Sequence, residues 1–160
     1  MTSFQCLDWD SNFFGFPIGQ ILINKKSNYN TDFISELLVQ AKNENFKLVY
    51  LIIPKTDSLI SIPQFKNNIR LVDKKVFYQT ELDSNYEQDK SIACYNSDTV
   101  SNDMFQLALT SGQYSRFKLD PDFPKEGFKN LYATWIKNSI NKTYADEVLV
   151  YQSKNKIVGM

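Results

Sequence analysis

The chain has no histidine among its 160 residues. That excludes Ser-His-Asp and Cys-His catalysis within it, and any metal held by imidazole. Only two cysteines occur, Cys6 and Cys94, far apart and with no CxxC pair. They are expected to be small buried thiols, and no disulfide framework argues for secretion. An excess of one charge is also missing, since Lys plus Arg and Asp plus Glu both number 18. A neutral chain lacks the basic surplus of a nucleic-acid binder and has little attraction for an anionic membrane. The strongest apolar run, Leu48 to Ile53, is far too short to span a membrane. Met1 to Cys6 has neither a basic start nor a long apolar core, so no signal peptide is expected and the expected location is cytoplasmic.

What is present is enough for a core. Hydrophobic residues make up 42% and aromatics 14%, which excludes a disordered tail. Folding at this length hides roughly 70% of the unfolded surface. Phe4 to Trp9 and Pro17 to Ile23 read as short strands, with turn chemistry at Asp10-Ser11-Asn12 between them. Gly15 and Gly19 interrupt an apolar stretch, which suggests a bulge or a close backbone approach. Asn28 to Asp32 can cap a helix over 32–44, where Phe33, Ile34, Leu37, Leu38 and Ala41 recur at helical spacing. Leu48 to Ile53 then predicts a strand buried on both faces and ended by Pro54, hence a parallel crossover. Residues 57–68 suit a short helix broken at Pro63. Val76, Tyr78, Thr80 and Leu82 alternate with polar or aromatic neighbours and predict a half-exposed strand.

The polar stretch Asp83 to Lys90 reads as a linker between a unit over 1–85 and a second over 91–160. The second unit opens with a strand at Ile92 to Tyr95. A helix follows with Met104, Leu107 and Ala108 on its buried face, and Gly112 is placed to stop it in a left-handed cap. A loop spans Gln113 to Phe123. Phe128, Leu131, Tyr132, Trp135, Ile136 and Ile140 mark a strong second helix, with Pro124 in its first turn. Glu147 to Gln152 reads as a strand, Ser153 to Lys156 as a turn, and Ile157 to Met160 as the start of a partner strand. The fold class expected is α+β, or mixed αβ.

This order of elements resembles the opening of the GNAT acyltransferase fold. More narrowly, the chain is similar to the dTDP-fucosamine acetyltransferase family. The likeness rests on Leu7-Asp8-Trp9-Asp10-Ser11-Asn12-Phe13-Phe14-Gly15-Phe16, and on Ser111, Ser115-Arg116-Phe117, Asp120, Phe123, Leu131-Tyr132, Trp135-Ile136 and Asp146. The resemblance implies transfer of acetyl from acetyl-CoA to the amine of a nucleotide-linked amino sugar. It also implies a Gly-rich helix start whose backbone N–H groups hold the cofactor pyrophosphate. The five glycines form no G-x-G, so this chain carries no such turn, and no catalytic or cofactor-binding residue transfers from the family. The expectation is a GNAT unit cut at Met160, inactive alone.

The acceptor side is what the resemblance leaves. Tyr114, Ser115, Arg116 and Phe117 in the loop are the candidate substrate-binding residues. Arg116 suits a diphosphate, and Tyr114 or Phe117 a base or sugar ring. The bland alternatives are an Arg116 ion pair with Asp120 or Asp122, and simple packing of Tyr114 and Phe117. Phe13 to Pro17 can be a sugar platform or strand packing, and Trp135 belongs to the core stripe. Two further functions stay open: a non-catalytic nucleotide-sugar-binding module, and an acyltransferase portion with a non-sugar amine acceptor. The partner expected is a small nucleotide sugar, with no nucleic acid, membrane or metal. A homodimer through the unfinished sheet edge near Ile157 to Met160 is a further expectation.

Overall fold

Short apolar runs broken by polar residues build two small sheets instead of one large one. The computed structural model describes residues 3–23, 31–53, 69–81 and 89–160. The chain divides into two units, Met1–Leu71 and Val72–Met160. From composition the division is expected at 83–91; residues 82–88 lie outside the described residues, as do 57–68, Pro54 and the helix-capping stretch 28–30. The architecture is mixed α/β, with two three-stranded sheets and five helices among the described residues.

In the first unit β1 (Ser3–Cys6) pairs antiparallel with β2 (Ile18–Leu22), with Phe4 opposite Ile21. The expected continuation of β1 to Trp9 is not found. Asp8–Phe14 is a helix, α1, which contains Trp9 and the Asp10-Ser11-Asn12 turn candidate. Ser11 explains the change. Its Oγ donates to the Leu7 carbonyl at 2.8 Å and accepts from the Ile18 amide at 2.9 Å, so its side chain ties the helix to β2. Gly15 ends α1 at φ 78°, a conformation that costs an L residue about 1–2 kcal/mol.

Helix α2 (Thr31–Asn43) crosses to β3 (Leu48–Ile52), which pairs parallel with β2 from Ile18 opposite Leu48 to Leu22 opposite Ile52. The parallel crossover is as the sequence predicts, although β3 is half-buried over most of its length. Ile21, Ile23 and Ile34 form the core, with Phe4, Val49, Leu51 and Ile69 against it. The close approach expected at the glycines occurs at Gly19. A Cβ there would sit 3.1 Å from the Phe46 ring and 3.3 Å from Phe4.

Residues 75–81 are not a strand. Phe77 and Tyr78 are 92% and 93% exposed, and this backbone joins neither sheet. Alternation describes a strand only where a neighbouring strand accepts its ladder, and none among the described residues does so here.

The second unit begins with β4 (Ile92–Cys94), followed by α3 (Asn102–Ser111). Ser101 caps α3, its side chain accepting from the Met104 amide at 3.3 Å. Gly112 is not left-handed, with φ −90°. Its need is space, because a Cβ would collide with the Tyr132 ring. The loop after it is partly helical, as α4 (Arg116–Leu119). Helix α5 (Gly127–Ile140) starts after Pro124, which lies in the preceding turn and accepts the Gly127 amide at 2.8 Å.

β5 (Leu149–Ser153) and β6 (Lys156–Gly159) form the hairpin, and the sheet order is β4-β5-β6, antiparallel throughout. The turn is tighter than expected. Only Lys154 and Asn155 connect the strands, both at positive φ, the geometry whose twist matches a hairpin. Met104, Ala108, Ile136 and Val150 form the core of this unit, with Ile157 against it.

Both cysteines are exposed, against expectation. Cys6 closes β1, on a sheet edge, and Cys94 lies on β4, also an edge. Small apolar character alone does not bury a thiol where its strand has no cover.

Candidate functional site

The loop between α3 and α5 begins where Gly112 yields to the Tyr132 ring. Tyr114 follows and projects into solvent at 76% exposure. Ser115 precedes α4 in extended backbone, and its Oγ is buried with no hydrogen-bond partner. Its hydroxyl does not cap the helix. Arg116 is half-buried, with its guanidinium carbon 4.4 Å from the centre of the Phe117 ring. A cation over a ring face is held by the ring quadrupole.

Phe117 itself faces inward. It is buried, with ring centroids 5.4 Å from Phe123 and 5.8 Å from Trp135. Trp135 in turn packs on Tyr132 at 5.2 Å, and Tyr132 on Phe128 at 4.9 Å. This chain of rings fastens α4 to α5. The structure therefore places Tyr114 at the outer side of the loop, Ser115 and Arg116 half-buried with the Ser115 Oγ and Arg116 Nε turned inside, and Phe117 in the packing beneath them.

One feature here, Lys118, lies beyond the residues singled out from sequence, while Asp120 is among them as a possible partner of Arg116. Lys118 Nζ stands 5.1 Å from the Phe128 ring centre, adding a second cation near the first. Asp120 is buried; its amide donates to the Arg116 carbonyl at 2.8 Å, and its Oδ1 accepts the Asp122 amide at 3.1 Å. The signal for Asp120 was present in Asp120-Pro121-Asp122, since an acid before proline favours this side-chain turn. Nothing in the spacing announced Lys118.

The arrangement offers a half-buried delocalised cation and an exposed aromatic ring on one short segment. Those groups recognise an anionic, ring-bearing small molecule. No group of three or more metal-ligating side chains occurs among the described residues. Among the described residues, two titratable groups with displaced pKa values lie elsewhere. A hydrogen bond with the Asp8 carboxylate, with some burial, pushes the Cys6 thiol up, so it is not an activated thiolate. Lys142, 3.0 Å away, holds the Glu147 carboxyl below its ordinary range. An open depression of about 510 Å³ on α2, lined by Ser35, Glu36 and Val39 among others, contains none of the candidate residues.

No helix among the described residues is long and apolar enough to cross a membrane. No protein-family model and no curated protein matches the chain.

Proposed function

We propose that the second unit is the acceptor-binding portion of an N-acetyltransferase that modifies the amine of a nucleotide-linked amino sugar. One observation carries this reading. The order β4-α3-α4-α5-β5-β6, with all three strands antiparallel in sequence order, agrees with the resemblance stated above and sets the Tyr114–Arg116 segment between the two helices. In this reading Arg116 pairs with the diphosphate and the Tyr114 ring stacks on the base, while the buried Ser115 hydroxyl does not reach the ligand.

Acetyl-CoA would be the acetyl donor, and these residues do not fit it. Among the described residues no helix opens on a glycine-rich turn. α5 opens at Gly127, which is buried and follows Pro124-Lys125-Glu126. No chemical step is assigned to this chain, whose part is to bind and orient the acceptor. That lack favours a second reading, a nucleotide-sugar-binding module without chemistry.

Calorimetry with dTDP and a dTDP-linked amino sugar tests the shared claim. Sub-millimolar binding is expected, weakened at least tenfold by Arg116→Gln and less by Tyr114→Ala. A folded chain that releases no heat at millimolar ligand overturns both readings. Thermal stabilisation by acetyl-CoA would favour the transferase over the binding module.

A further inference from the structure

β6 is an edge of its sheet, paired with β5 on one side only. The register of that pair fixes where its backbone groups point. Only Lys154 and Asn155 separate the strands, so Ser153 and Lys156 close the hairpin as a hydrogen-bonded pair. Bonding alternates along an antiparallel ladder. The next pair, Gln152 and Ile157, therefore turns its N–H and C=O groups away from each other. The Gln152 amide donates to the Ser91 carbonyl at 3.4 Å, on the side of β4. The Ile157 amide points the other way, out of the sheet edge. There it donates to Asp103 Oδ2 at 3.3 Å, a contact between residues 54 apart in the chain.

Asp103 is held in place for this contact. It lies in the first turn of α3, where the exposed N–H groups and the helix dipole favour a carboxylate. Ser101 caps that turn through the Met104 amide, and Met104 is fully buried in the core that Ile157 packs against. Val150 faces the same core, while Leu149 and Tyr151 lie on the opposite, outer face of the sheet. A carboxylate accepts a hydrogen bond about twice as strongly as a neutral group. The Asp103 side chain thus occupies a donor that a further strand would need. The other edge strand, β4, is only three residues long, and its shortness itself limits pairing there.

We propose that Asp103 is a latch that closes the β6 edge against strand addition, and that a second copy of this chain is what the released edge takes. The edge is complementary to itself. With Ile157 of one copy opposite Ile157 of the other, in antiparallel strands about a two-fold axis, each outward N–H meets the outward C=O of its twin. The homodimer expected through this edge is therefore opposed by Asp103 in the intact chain and released by loss of its carboxylate. The latch is independent of the acceptor reading.

Amide hydrogen exchange by NMR and sedimentation equilibrium on the same samples, from about 50 to about 500 µM, test the latch. The unchanged chain should stay monomeric throughout. At the lowest concentration Asp103→Ala should speed exchange of the Ile157 amide at least tenfold, while the Val150 amide keeps its protection and reports an intact sheet. At the highest concentration that variant should dimerise, and its Ile157 amide should regain protection. Asp103→Asn keeps an acceptor oxygen and should remain monomeric with Ile157 protected. Asp103→Ser, whose oxygen stops one bond short of the amide, should repeat the alanine result and replaces it if Asp103→Ala does not fold. Four results overturn the proposal: the unchanged chain dimerises as tightly as Asp103→Ala; the short variants stay monomeric at the highest concentration; they associate with Ile157 left unprotected; or Asp103→Asn behaves as they do.

Discussion

β2 and β5 are both the middle strand of a three-stranded sheet, yet they are buried differently. β2 carries fully buried side chains on both faces, Ile18 on one and Ile21 on the other. β5 is buried on one face only: Val150 is 1% exposed, while Leu149 and Tyr151 on the opposite face are 54% and 41% exposed. The difference follows from the pairing. β2 takes part in a parallel pair, whose crossover helix covers one face and whose strands are apolar on both. β5 sits in an antiparallel sheet, which needs cover on one side only. A parallel pair thus spends its apolar residues within the chain, and an antiparallel hairpin can retain some for another surface.

Truncating the middle strands tests this contrast most strongly. Ile18→Ala and Ile21→Ala should each cost about 2–5 kcal/mol, because each leaves a cavity on a covered face. Val150→Ala should also be clearly destabilising, whereas Leu149→Ala should fall within about 0.5 kcal/mol. Urea melts measure all four. A Leu149→Ala cost equal to that of Val150→Ala would show the outer face covered within one chain, and the comparison would collapse.

The same contrast recurs in two glycines. An added Cβ at Gly19 meets Phe46 and Phe4, whose rings already press edge to face at 5.0 Å and leave little room to yield. Gly19→Ala should therefore cost about 1 kcal/mol or more. At Gly159, on the outer face, the Cβ would meet only the Tyr151 Cβ at 3.4 Å, an ordinary contact. Gly159→Ala should be neutral or gain a few tenths of a kcal/mol by restricting the unfolded chain. If both cost the same, the close cover over β2 is not what sets Gly19 apart.

These positions also mark what could be read from sequence. Helices α2 and α5 were legible because apolar residues at i, i+3, i+4 and i+7 have no other economical arrangement. β2 and β3 were legible as short apolar runs bounded by turn residues. At 75–81 the same kind of evidence failed, since alternation says nothing about whether a partner strand exists. Asp10-Ser11-Asn12 failed for a related reason. A side chain that bonds backbone can make a turn or anchor a helix, and Ser11 does the second through Ile18, seven residues away. At the candidate site, Tyr114, Ser115 and Arg116 were identifiable by type. The inward direction of Phe117 was not, because it depends on Trp135 and Phe123 meeting it from elsewhere. Which side of β5 is bare was not legible for the same reason, since whether Leu149 or Val150 is buried is decided by α3 and α5.

The smallest effect lies at Glu147, just before β5. Lys142 and Glu147 pair at 3.0 Å with both side chains more than half exposed, so the pair is screened by solvent and contributes little to stability. Its direction is nonetheless readable. The hydrogen bond and charge of Lys142 hold the Glu147 pKa below that of the unfolded chain. The folded protein therefore binds this proton less readily than the unfolded one. The contribution is fully present above the ordinary carboxylate pKa and is lost as pH falls through the lower folded value. A carbon-detected NMR titration should find Glu147 titrating below the other exposed glutamates, and Lys142→Gln should move it up toward them. A Glu147 pKa that ignores Lys142→Gln would mean that this cation does not set the titration of the carboxylate.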